Sequence, residues 1–222
     1  MFEFHPMLMA AVTGFVSGFI ISIPVGPVNL TIINEGARRG FAWAALIGLG
    51  ATVMEVVYCA IAFTGFANIF GSKVVKASME LFSFAFMLYL GIRFLAAKSV
   101  PVAPKIEERI EQRLQPHSAF MIGFVRVMGN PGVLLFWIIL AANFISRELV
   151  EPTLRGKIAC ISGVAVGTGL WFVGLSWAVS LGHRKLSERT LLQMEHISGV
   201  CLLLMALIHG VNIVWQMVRQ RM

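Results

Sequence analysis

The chain predicts an all-α integral membrane protein: six transmembrane helices in an inverted 3+3 repeat, with helices 1 and 4 broken at proline motifs. Three observations predict it. The 222 residues are 58% hydrophobic and only 13% charged, whereas a soluble domain has about 25% charged residues. Mean hydropathy is +0.82, and six apolar stretches reach the about 20 residues that a helical span needs. Two of these stretches, in corresponding places, are interrupted by proline.

The first helix runs over about residues 8–34 and contains Ser22-Ile23-Pro24-Val25-Gly26-Pro27-Val28-Asn29-Leu30. Two prolines and a glycine in four residues cannot continue a helix, because each proline lacks a backbone donor and clashes with the preceding turn. In lipid, broken backbone survives only where it is buried in protein or lines a wet cavity. Half-helix ends at mid-depth are what transporters use to hold ions and zwitterions. A structural kink between packed helices is the simpler reading of the same residues. The run is too long for a signal peptide and has neither a basic n-region nor a small-residue cleavage site, so it reads as a retained helix.

The second helix follows Arg38-Arg39-Gly40 and covers about 41–70, and the third covers about 77–97. A polar connection with Pro101, Pro104 and Pro116 comes next, with mixed charge over 105–113. The fourth helix, about 119–145, is interrupted at Asn130-Pro131-Gly132; the fifth covers about 157–182 and the sixth about 190–217. The whole chain, 1–222, reads as one polytopic membrane domain: repeat 1 at about 8–97, a cytoplasmic linker at 98–118, and repeat 2 at about 119–217.

The two halves share weak internal similarity. Gly18-Phe19 precedes Pro24 and Pro27 much as Gly123-Phe124 precedes Pro131. Gly50-Ala51-Thr52 in the second helix matches Gly167-Thr168 in the fifth, with Gly65 and Gly182 following at similar distances. A three-helix unit repeated once must insert in opposite orientations, which is the plan of many secondary transporters. Matching interrupted segments in the two halves point to a site at the midplane.

Basic residues near helix ends set orientation. The connections 1–2, 3–4 and 5–6 hold Arg38, Arg39; Arg93, Lys98, Lys105, Arg109, Arg113; and Arg184, Lys185, Arg189. The opposite side holds the smaller set: Lys73, Lys76, Arg147, Arg155, Lys157, Arg219 and Arg221. This places the 98–117 connection in the cytoplasm and both termini outside. The net charge of +7 fits topology and anionic headgroups. No basic stripe lies on a soluble surface, which argues against nucleic acid. Cys59, Cys160 and Cys201 fall in separate apolar segments and form no CxxC pair, so they read as buried free thiols.

Glu55 reads as the only carboxylate deep inside a span, with about fourteen residues of the second helix on either side. An ionisable group there is costly and is a functional hypothesis by default. A carboxyl whose charge depends on the occupancy of a neighbouring site can couple proton movement to transport. The bland alternative is a neutral Glu55 hydrogen-bonded to a neighbouring helix. Arg126 stands five residues before Pro131. Arginine stays charged at ordinary pH, so it could receive a substrate carboxylate, pair with Glu55, or snorkel to a headgroup. Asn29, Thr31, Asn34 and Asn130 can satisfy backbone freed by the breaks or bind ligand. His196 and His209 stand thirteen residues apart and His183 lies in a loop, which is no HExxH pattern. There is no GxSxG, Walker A or catalytic carboxylate pair.

The stretch from Ser22 to Leu30, with Gly36-Ala37-Arg38-Arg39-Gly40 and the Gly-rich second helix, resembles the first half of the LysE-type translocators. Asn130-Pro131 after Gly123 resembles the Asn-Pro motif of their second half. The resemblance implies a bacterial inner-membrane exporter of amino acids or related small metabolites, driven by an ion gradient. It carries Pro24, Gly26, Pro27, Asn29, Asn130 and Pro131 over as motif positions, and Glu55 stands where exporters of basic amino acids have an acidic residue. Gly132 replaces the Lys or His that many relatives have, and Phe136 stands where the basic-substrate branch often has an acid.

The expected function is therefore secondary-active export of an amino acid or similar solute. A cation or metal exporter using Glu55 and break carbonyls is the runner-up, and a membrane enzyme or assembly factor comes from a different class. Expected partners are the substrate, a coupling proton or ion, and the bilayer, with no cofactor. The GxxxG pairs Gly14/Gly18 and Gly163/Gly167 allow close helix packing and suggest a homodimer, although they could equally pack within one chain.

Overall fold

The computed structural model describes residues 6–65, 73–98, 118–182 and 187–219. Regular structure among them is helical throughout: α1 Pro6–Ser22, α2 Pro27–Arg39, α3 Phe41–Gly65, α4 Lys73–Leu95, α5 Ala119–Met128, α6 Pro131–Ser146, α7 Leu154–Gly182 and α8 Glu188–Arg219. Both proline motifs break their helices as expected. The α1–α2 pair bends by 71° and the α5–α6 pair by 67°.

Local chemistry explains these ends. Pro27 opens α2 in the first turn, where a missing N–H costs nothing. Gly40, at φ 84°, closes α2 by returning its N–H to Gly36 O at 3.0 Å, a conformation that suits a residue without Cβ. Ser118 caps α5 by accepting from Met121 N–H at 3.2 Å, and Lys157 Nζ donates to Phe63 O at 3.2 Å near the end of α3.

Helices α3 and α7 are each long and apolar enough to cross a bilayer, and each bent pair passes the same test of length and composition when its two helices are taken together. Many large apolar side chains are exposed, among them Leu49, Val166, Leu170, Trp177, Leu204 and Leu207. So much exposed apolar surface belongs against lipid rather than water.

Close packing is built on small residues. Helix α1 lies along α7 and α5 along α3. A Cβ at Gly14 or Gly18 would collide with the backbone of Cys160 or Val164, and one at Gly163 or Gly167 with that of Ala11 or Phe15. The two GxxxG pairs that suggest a dimer thus pack against each other inside one chain and are not left as a free face. Gly50 and Gly123 meet the backbones of Phe120 and Ile47 in the same way. Helix α4 packs on α8, where Gly199 meets the backbone of Gly91 and Leu95.

The third helix begins earlier than expected, at Lys73, and the second is described as far as Gly65. Most of the 98–118 linker, with His183, Arg184 and Lys185, lies outside the described residues.

Candidate functional site: a cavity between two helix breaks

At the first break every freed backbone group matters, since an unpaired buried one costs about 1–3 kcal/mol. Asn29, 2% exposed, sends its side-chain amide back over the break. It donates to Ser22 O at 2.8 Å, Pro24 O at 2.6 Å and Ile23 O at 3.4 Å. Its oxygen accepts from Trp171 Nε1 at 3.2 Å. Pro27 O accepts from Thr31 Oγ1 at 2.7 Å and Arg126 Nη1 at 3.4 Å. Gly26 N–H donates to Pro24 O at 2.9 Å. Val25 N–H donates to Glu195 Oε2 at 2.9 Å, a carboxylate 170 residues away on α8.

The second break is tied more simply. Asn130 caps α6, its Oδ1 accepting from Gly132 N–H at 3.0 Å. Tyr58 Oη donates to Met128 O at 2.8 Å, binding α3 to the last carbonyls of α5.

The two breaks face one cavity of about 640 Å³. Pro24, Gly26, Pro27, Asn29, Glu55, Arg126 and Asn130 all line it. Pro131 stands between the lining residues Asn130 and Gly132, and its side chain lies outside the described residues. The structure therefore brings the residues singled out from both halves to one place. At its other end the cavity reaches Tyr89, Arg93, Ala97 and Lys98, where α4 leads into the linker.

Glu55 is buried at 5% exposure and accepts a hydrogen bond from Trp137 Nε1 on α6. One wall of the cavity is thus a carboxyl held by an indole. Arg126 stands near the start of α2, and Arg93 and Lys98 add positive charge toward the linker end. Carboxyl and guanidinium groups in one enclosure suit a solute carrying both charges.

One expectation needs correcting. Glu55 is not the only deep carboxylate, because Glu195, 3% exposed, also lines the cavity. It stands seven residues into α8, about 10 Å from the helix start. From sequence alone that depth reads as the interface. Trp137 and Trp171 were equally invisible as site residues, since a lone aromatic in an apolar helix reads as packing; the signal available was that an indole buried in such a helix needs an acceptor.

Together these features define a helical multi-pass membrane protein built around a cavity at two broken spans. The family model described as LysE type translocator matches residues 19–211, and the chain belongs to that family, one of transporters. It is 27% identical over 197 residues to the Bacillus subtilis (strain 168) protein named "Putative amino acid efflux protein YcgF", covering 88% of this chain and 92% of that one. It is 24% identical over 166 residues to the "Chemotactic transduction protein ChpE" of Pseudomonas aeruginosa, covering 74% of this chain and 79% of that one. No solved structure matches.

Proposed function

We propose that the protein is a secondary-active exporter of amino acids or related small metabolites across the bacterial inner membrane, and not an enzyme. The observation that carries this reading is the convergence of both helix breaks on one cavity that also holds Glu55 and Arg126. A volume of about 640 Å³ falls within the roughly 300–1,000 Å³ of ordinary small-molecule sites. The name of the Bacillus relative, which refers to amino acid efflux, points the same way.

In this reading α4 and α8 complete six spans, the third of each half. Packing supports the inverted repeat. The first segment of each broken span lies along the second helix of the opposite half, α1 on α7 and α5 on α3. The second segments do likewise, α2 on α7 and α6 on α3, and second meets second and third meets third in α3–α7 and α4–α8. The 98–117 connection is cytoplasmic and the termini are outside, which orients the linker end of the cavity to the cytoplasm. A solute entering there meets Arg93 and Lys98, then Arg126 and the positive start of α2, where a carboxylate is favoured. Glu55 takes a coupling proton or a cationic group of the solute.

The carbonyls that a bare cation would need at the first break already accept from Asn29, Thr31 and Arg126, which favours an organic solute. The test is flux from proteoliposomes under an imposed proton or sodium gradient, with a panel of amino acids and divalent metals. Gradient-dependent movement of amino acids supports the proposal. Movement of metals alone, or product formation without a gradient, overturns it.

A further inference from the structure

Helices α4 and α8 form a pair of their own. They cross closely at Gly91 and Gly199, and His196 Nε2 sits 3.0 Å from Ala97 O. Among the described residues α4 meets the other helices at α6, and α8 touches them only slightly, at α1. The cavity lies along this seam, lined by Tyr89 and Arg93 on one side and by the first break on the other. Glu195 spans the seam.

Val25, 1% exposed, and Glu195, 3% exposed, are both buried at the edge of the cavity. The prolines on either side of Val25-Gly26 have no N–H to give, and Gly26 N–H is used within the break. Val25 N–H therefore remains as the donor that this stretch offers, and Glu195 on α8 is the acceptor it meets. Arg93 and His196 are the charged or titratable neighbours whose fields act on Glu195.

We propose that Glu195 is a positioning residue of the transport cycle: its bond to Val25 latches the α4–α8 pair to the first break, and is broken and remade as that pair moves. A packed pair on a narrow seam, with a cavity under it, is where a rigid-body movement costs least. The latch rests on the exporter reading for its purpose but not for its existence, and the test separates the two.

The experiment compares Glu195→Gln, Glu195→Asp and Glu195→Ala in nanodiscs and in liposomes. Gln keeps both reach and an accepting oxygen. Asp keeps the charge but is one methylene short, and Ala loses both. In a chain with Cys59, Cys160 and Cys201 replaced by alanine, a single cysteine at Val133, which lines the cavity, is labelled with a water-soluble maleimide in nanodiscs. Labelling in the Gln variant should match the parent, while the Asp and Ala variants label about tenfold faster, the equivalent of one buried hydrogen bond. Gradient-driven flux in liposomes should survive in Gln and fall in Asp and Ala. If Ala does not fold, Asp against Gln decides. Wild-type labelling and flux in Asp, or a Gln variant as impaired as Asp, would overturn the latch. A wild-type chain that moves no solute overturns the exporter reading, and the labelling rates then still decide on the latch.

Discussion

Trp137 on α6 donates its indole N–H to the carboxyl of Glu55 on α3. The two come from opposite halves of the chain, and a second such link, Trp171 to Asn29, joins α7 to α2. Glu55 stands three residues after Thr52, and Trp171 three residues after Thr168. In both links an indole therefore connects a second helix to the broken span of the other half. Trp137→Phe keeps an aromatic ring but removes the donor from a buried acid and the pyrrole half of a fully buried indole, and should destabilise by at least about 1–3 kcal/mol. Thermal unfolding in one detergent measures it. A Phe variant as stable as wild type would mean the bond carries no weight.

Asn29 and Asn130 both stand at breaks, yet they should not cost the same to remove. Asn29→Ala leaves carbonyls of Ser22, Ile23 and Pro24 and the Trp171 indole without that partner. Asn130→Ala loses one helix cap, worth about 1 kcal/mol. The expected order is a larger loss for Asn29, about 2–4 kcal/mol if one or two groups stay unpaired. A double-mutant cycle with Trp171→Phe should show coupling of about 0.5–1.5 kcal/mol. Equal losses at the two asparagines would contradict this division.

Gly26 and Gly123 differ in kind. Nothing lies within 4 Å of a Cβ built at Gly26, where the residue faces the cavity. A Cβ at Gly123 would collide with the carbonyl of Ile47. Gly123→Ala should therefore cost about 1–3 kcal/mol through overpacking. Gly26→Ala should unfold at the wild-type temperature but lower flux, because its methyl stands in the solute path. Normal flux in a stable Gly26→Ala protein would remove Gly26 from the site.

Orientation has its own check. Cysteines added at either terminus should react with a membrane-impermeant reagent on intact cells, and cysteines over 105–113 should react only after permeabilisation. Reaction of the linker in intact cells would invert the topology.

The breaks were legible because proline removes a donor whatever the surroundings, and Glu55 was legible because it sits in the middle of a long apolar run. Glu195 was not, since depth along a 32-residue helix such as α8 depends on where the first break reaches it. Sequence could not tell whether Asn29 serves backbone or ligand; the structure commits its amide to the carbonyls of the break. The GxxxG pairs announced close helix contact correctly but not the partner, because a small-residue face carries no mark of inside or outside the chain.

The central claim is that the cavity between the breaks is a transport site coupled through Glu55. The most direct measurement pairs gradient-driven flux with counterflow, for wild type and Glu55→Gln in the same liposomes. Gln can still hydrogen-bond but cannot titrate. If Glu55 carries the coupling proton, driven flux collapses and counterflow survives. If it binds a cationic group of the solute, both fall, with affinity lower by roughly one to two orders of magnitude, as expected for loss of about 1.5–3 kcal/mol from one charged contact. Wild-type values for both in Glu55→Gln would contradict the claim.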